Sequence, residues 1–390
     1  MSDATTASTG TRLHALDNLR AILMWLGIVL HVTAIYAVQP LPNAWRDEQR
    51  TLFADLLVTS IHAMRMPAFF ILAGFFTAML ALSRGPQGLV RHRLARLALP
   101  FALFWPVLWA ASGLAAWLFI NRMQHGRWGL NLLASEALAT LQRPDTLHLW
   151  FLWLLLWFNL ATAALMVLPR RWFAAPAALL VWVAQRPWGF LVLALLLLGC
   201  TYQYPGALLE ISNRFWPPWN EWAYHALFFA FGLALFHHQA ALFALMQRHW
   251  VRYAAAGLLF YVLTAIDAKW HGPLWLMAYC YHCVAWLWSF AAIGAALRVL
   301  GSRHALLGYL CDSAYWVYLV HYPLTIFFGA LLFQLPLPAL LKIALNIGAT
   351  TLLCLLSYRL WVRHGWLGQL LNGKRHPRVA RAAPGAAGVA

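Results

Sequence analysis

Five ionisable side chains sit inside apolar runs of this 390-residue chain: His31 in ILMWLGIVLH, His62 and Arg65 in SIHAMRMPAFF, His282 in MAYCYHCVAW and His321 in YLVHYP. Such groups are costly in hydrocarbon and mark functional sites by default. Counting along each run from its outer end puts His31, His62 and His282 about 10 Å deep and Arg65 and His321 about 15 Å deep. Polar groups at nearly one level on four segments point to a shared interior cavity, although each histidine alone is also explained by packing against a neighbouring backbone or hydroxyl.

Asp17, Arg20 and His31 stand in LDNLRAILMWLGIVLH. Eleven residues at about 100° each make three turns and about 20°, so Arg20 and His31 share one helix face, roughly 16 Å apart along the axis. Asp17 and Arg20, three apart, are placed to pair at the entrance to that face; Arg20 is equally explained as a helix-end anchor. The stretch SRGPQGLVRHRLARLALP carries Arg91, Arg93 and Arg96. Clustered guanidiniums suit phosphates because their planar donors fork onto two oxygens, and an ordinary positively charged loop near anionic lipid is the other reading. His148 opens the run HLWFLW on the opposite side, where Trp216, Trp219 and Trp222 also crowd. Rings at that level usually form an interfacial belt.

The elements that must position these residues follow from composition. With 63% hydrophobic and 10% charged residues, the chain has apolar stretches too long for a water-soluble core. A spanning helix needs ~20 apolar residues, and that ruler places helices near 17–38, 55–82, 97–120, 147–168, 188–204, 222–238, 251–267, 275–299, 309–332 and 338–361. The expectation is an all-α polytopic membrane protein of about ten transmembrane helices with both termini cytoplasmic. The piece from Trp172 to Gln185 carries Pro176, lies between Arg170, Arg171 and Arg186, and reads as interfacial. On this topology 19 of the 28 basic residues fall on the inner side, as the positive-inside rule requires. The net charge of +17 is thus mainly a topology signal, and a nucleic-acid partner loses its support. One membrane domain at 13–363 is expected, between a disordered N-terminus at 1–12 and a basic, then Ala/Gly-rich, tail at 364–390. The first helix lacks a convincing cleavage pattern and reads as retained. Five cysteines sit in or beside apolar segments, and the Cys280/Cys283 pair lacks the second pair that structural zinc needs. No metal site is expected.

In order along the chain, LDNLRAILMWLGIVLH, HAMRMPAFFILAGFF, HLWFLW and YWVYLVHYP resemble the membrane acyltransferase-3 superfamily, and within it the branch that modifies periplasmic glucans. RHRLARLALP is similar to the basic segment before the third helix of that family. The stretch from Pro169 to Leu300 carries no matching motif. The resemblance implies a multi-pass enzyme of the bacterial cytoplasmic membrane that transfers an acyl group, acetyl or succinyl, from cytoplasmic acyl-CoA to a hydroxyl of an envelope carbohydrate. Acyl-CoA is then a co-substrate, with no permanently bound cofactor. His31 is expected to act as base or acyl carrier, Arg65 as oxyanion partner and His321 as the group that orients His31 or relays its proton. Asp17, Arg20, Arg91, Arg93 and Arg96 would serve the donor, and His62, His148 and His282 would line the substrate path. Two other classes compete. A glycan or lipid-linked sugar flippase would also carry polar residues at midmembrane, although no inverted repeat is visible. A haem carrier would use pairs such as His31 with His282 or His62 with His321.

Overall fold

A membrane interior offers no water to backbone amides, which leaves so apolar a chain with helices, whose hydrogen bonds close within each segment. In the computed structural model all regular structure among the described residues is helical. Described are residues 2–39, 41, 44–131, 144–202, 204, 209, 211–302 and 304–377, with side chains of the first helix from His14 onward. The Ala/Gly-rich stretch 378–390 lies outside them, as do Arg143 and Arg303 of the charge count.

In chain order, α1 is Ser2–Thr33, α2 Leu52–Arg93, α3 Leu99–His125, α4 Trp150–Leu165, α5 Arg171–Ala184, α6 Gly189–Thr201, α7 Trp219–His237, α8 Gln239–Lys269, α9 Leu274–Val299, α10 Ala305–Leu332, α11 Ala339–Ser357 and α12 Trp366–Asn372. Among the described residues, seven helical stretches are long and apolar enough to cross a membrane. One of them, Leu52–His125, has 74 residues and breaks at Gly85, where φ is 67° and the following Pro86 restarts the helix. The basic stretch expected as a loop before the third helix is therefore helical, joining α3 through a π-helical turn at Leu94–Ala98. The span expected at 188–204 falls on α6, whose 13 residues cover only about 20 Å. That expected at 222–238 falls on α7, where Asn220, Glu221 and His225 interrupt the apolar sequence. Arg171–Ala184 is a short apolar helix with Trp172, Phe173, Leu179 and Trp182 exposed.

The core lies between α2, α4, α7 and α9. Phe70 meets Phe158 and Phe231 meets Trp286 edge to face there, a preferred geometry for aromatic pairs, and Phe228 packs tilted on Trp286. Phe70 faces His225, Gly74 faces Gly232 and Phe75 faces Phe236, so α2 and α7 run parallel. Gly74 and Gly232 let the two backbones touch: a Cβ on the first would strike Phe229 O, and one on the second Ile71 O. Small residues at such crossings are how membrane helices gain dispersion contact. At one end of the bundle, Lys342 of α11 donates to both oxygens of Asp47 at 2.9 Å, with neither residue exposed, clamping the α1–α2 connection onto α11.

Candidate active site

Three imidazoles converge where α1, α4 and α10 meet. The rings of His31 and His321 are 5.3 Å apart and those of His148 and His321 5.2 Å apart. Tyr322 packs against His31 at 4.8 Å and His148 at 4.9 Å. His321 and His148 are 1% and 6% exposed, while His31 is half-buried.

The sequence of α10 sets this arrangement. Proline has no N–H, so Pro323 leaves the carbonyl four residues earlier, Leu319 O, without its helical donor. His148 fills the gap: its Nε2 lies 3.0 Å from Leu319 O and 3.1 Å from Tyr318 O, and the Tyr318 hydroxyl donates back to His148 O at 2.7 Å. A carbonyl can only accept, so His148 Nε2 carries the proton and Nδ1 holds the lone pair. The same logic applies to His321, whose Nδ1 donates to Tyr318 O at 2.8 Å and Val317 O at 3.0 Å. His321 Nε2 and His148 Nδ1 are thus unprotonated in the neutral rings, buried, and without a protein partner. Two basic nitrogens are fixed in orientation beside the more accessible His31.

Arg65 enters from α2, where it is 7% exposed and donates from Nε to Leu23 O of α1 at 2.8 Å. Gly27 makes room for it. An ideal Cβ at Gly27 would lie 2.7 Å from Arg65 Nη2 and 3.2 Å from His321 Nε2, so the guanidinium and the free imidazole nitrogen both crowd one bare patch of α1. Gly27 is one turn before His31, which brings the guanidinium and the His31 and His321 imidazoles to the same stretch of helix.

Below this cluster opens a cavity of about 660 Å³ lined by Asp17, Arg20, Met24, Phe69, Arg93 and Tyr315, among others. Its deep end is one helical turn from the site on each wall: Met24 lies below Gly27, Phe69 below Arg65 and Leu152 below His148. Phe69 and Phe151, 4.7 Å apart, line its wall together with Met24. At the mouth Arg20 pairs with Asp17 at 3.0 Å and lies over the Phe76 ring. Arg93 Nη2 donates to Thr77 Oγ1 at 3.1 Å, and Thr77 donates on to Asn159 Oδ1 at 2.8 Å; Arg93 Nε has no protein partner.

A cavity that carries Arg20 and Arg93 in its wall thus leads toward imidazoles and a buried guanidinium, groups whose chemistry suits acyl transfer. A family profile described as an acyltransferase domain matches residues 13–359. The chain belongs to this acyltransferase family. The acyltransferase is also similar to the glucans biosynthesis protein C of Salmonella typhimurium and of Salmonella heidelberg, 27% identical over 339 residues, covering 82% of this chain and 84% of each relative. The protein of that name from Salmonella gallinarum is likewise 27% identical, over 341 residues. No solved structure matches.

The remaining expected residues of the acyltransferase are distributed unevenly. His62 lies one turn from Arg65 on α2 and close enough to His31 and His225 for charge on one to act on the others. Arg91 is exposed on α2. Arg96 donates to Gln369 O and Leu370 O of α12, the latter at 2.8 Å, and so holds the terminal helix against the bundle. His282 bonds Thr201 at 2.9 Å and packs on Tyr224, in contact with α6 and α7 and not with the histidine trio. His148, expected at the outer surface, stands among the trio because the segment before α4 dips inward. There Trp105 Nε1 donates to Asp145 O at 2.7 Å and Thr146 Oγ1 to Asn213 O at 2.7 Å. Gly27, Tyr318 and Tyr322 escaped the reading of residue types, although Gly27 lies one turn from His31 and Tyr322 beside His321. His225, within 222–238, carries the same signal as the other intramembrane histidines and belongs with them.

Proposed function

We propose that this acyltransferase moves an acyl group from cytoplasmic acyl-CoA to a hydroxyl of an envelope glucan, in the bacterial cytoplasmic membrane. The observation that carries the reading is the stacking of two compartments along α1: an arginine-lined cavity at Arg20 and Arg93, then the His31, Arg65 and His321 cluster one to two turns deeper. The names of the relatives, glucans biosynthesis protein C, support the acceptor class.

In this reading Arg20 and Arg93 hold donor phosphates and the thioester passes Met24 and Phe69 to reach the histidines. His31 takes the proton of the acceptor hydroxyl as the oxygen attacks the thioester carbon. Arg65 stabilises the oxyanion of the tetrahedral adduct. The C–S bond then breaks and the proton passes from His31 to the thiolate, giving ester and free CoA. His321 Nε2, fixed in direction by the carbonyl bonds on its other nitrogen and unpartnered at rest, stands beside the His31 ring and would accept from it as that ring turns for attack. A covalent acyl-His31 uses the same groups in two steps.

The test is thiol release by purified protein in nanodiscs, with acetyl-CoA or succinyl-CoA as donor and gluco-oligosaccharides as acceptor. Acceptor-stimulated release is expected, falling by about 10³-fold or more in His31→Ala. Wild-type protein that binds both substrates and releases no CoA, or a His31→Ala variant at full rate, would overturn the assignment.

A further inference from the structure

Glu221, Tyr224 and His225 occupy one face of α7 at i, i+3 and i+4, and all three are buried. Buried polar atoms are almost always hydrogen-bonded. Here Glu221 Oε1, both ring nitrogens of His225 and Nδ1 of His282 have no partner in the protein, although these residues are only 1%, 2% and 1% exposed. The groups are held in place. Glu221 Oε2 accepts from the Ser212 amide at 3.2 Å and its hydroxyl at 2.9 Å, and His282 Nε2 pairs with Thr201. His225 packs between Phe70 at 4.6 Å, Trp150 at 5.1 Å and Tyr224 at 5.3 Å, and Tyr224 reaches His282 at 5.6 Å.

Fixed, unpaired hydrogen-bonding atoms among aromatic walls are the ingredients of a site for a hydroxyl-rich ring: polar atoms take hydroxyls, and ring faces take the C–H surface. The parallel register of α2 and α7 connects this patch to the catalytic centre. Phe70 packs on His225, and two turns back along α2 His62 lies within electrostatic reach of the same His225 and one turn from Arg65. The exposed Trp216 and Trp219 stand where α7 begins.

The geometry points to this face of α7 as the acceptor site, binding one pyranose residue through Glu221, His225 and His282 and presenting its hydroxyl to His31 past His62. The inference rests on the acyl-transfer reading for its role, not for its existence. A proton conduit along His62, His225 and Glu221 is the competing use of these groups. The reaction does not need one: the proton leaving the acceptor hydroxyl ends on the CoA sulfur, so none is released.

The test is saturation-transfer NMR of gluco-oligosaccharides on purified protein in nanodiscs without donor. Binding to wild type is expected. It should weaken about tenfold or more in Glu221→Gln and in His225→Phe, as for loss of a charge-assisted hydrogen bond, and persist in His31→Ala. His225→Gln, which keeps a polar head, provides a milder variant, and the thermal midpoint of each protein reports folding. No binding by wild type, or unchanged affinity in the folded Glu221 and His225 variants, would overturn the site. Binding by wild type without acyl transfer would instead refute the acyl-transfer reading and leave the site standing.

Discussion

Gly27→Ala is the most informative single change at the centre, because it adds one methyl group and removes none of the polar atoms there. The new Cβ would stand 2.7 Å from Arg65 Nη2 and 3.2 Å from His321 Nε2. An ordinary contact needs about 3.4 Å, so the guanidinium must withdraw by about 0.7 Å. It cannot simply swing aside, because Nε is tied to Leu23 O at 2.8 Å on the same helix. Misplacing a catalytic group by about 1 Å costs about 100-fold in rate, so a shift of this size should lower kcat/KM between about 10-fold and 100-fold, or about 1.4 to 2.8 kcal/mol. On the proposed acyl-CoA reaction the assay is thiol release, with the thermal midpoint as control. In an Arg65→Lys background, whose shorter head leaves room, the methyl should have little further effect, giving a coupling energy near the single-mutant loss. A folded Gly27→Ala protein within about twofold of wild type would show that Arg65 placement does not govern the reaction.

Three further outcomes follow from particular contacts. Lys342→Met should lower stability by about 3–5 kcal/mol, since it strands the buried Asp47 carboxylate; the double change Lys342→Met with Asp47→Leu should recover most of the loss in a detergent melt. Pro323→Ala restores a helical donor to Leu319 O in competition with His148, so activity should fall while the melting midpoint holds or rises, and a fall in both would contradict the anchoring role. Burial holds the Asp145 carboxyl above the usual carboxylate range, against a smaller opposing effect of the Leu147 N–H. A raised carboxyl favours folding when protonated and loses that contribution as pH rises through its folded value. Asp145→Asn should therefore gain melting temperature relative to wild type between about pH 4 and pH 7; a constant difference across that range would remove the argument.

The intramembrane ionisable residues were legible because charge is rare in apolar runs, and Arg20, His31, Arg65 and His321 could be placed by counting residues along a helix. His148 was harder. Its depth depends on residues 144–149 folding inward against Trp105 and Asn213, a tertiary event that leaves no mark on local hydropathy. Arg96 reads as a phosphate ligand beside Arg93, yet its partners are α12 carbonyls more than 270 residues away, a distance that no motif spans. Glu221 and His225 lie in WNEWAYHALFF, where aromatic and polar residues alternate too closely for an apolar window to register a site. Gly27 shows the reverse case: absence of a side chain is visible in the sequence, but what fills the space is not.

Met24, Phe69 and Phe151 line the cavity about one helical turn from Gly27, Arg65 and His148. On the acyl-CoA proposal a thioester would have to pass them while the two sides of the membrane stay electrically insulated, and a thioether and two benzyl rings conduct no ions. On that same proposal the room among these three side chains would limit the girth of the acyl group, and so its choice, before any chemistry begins.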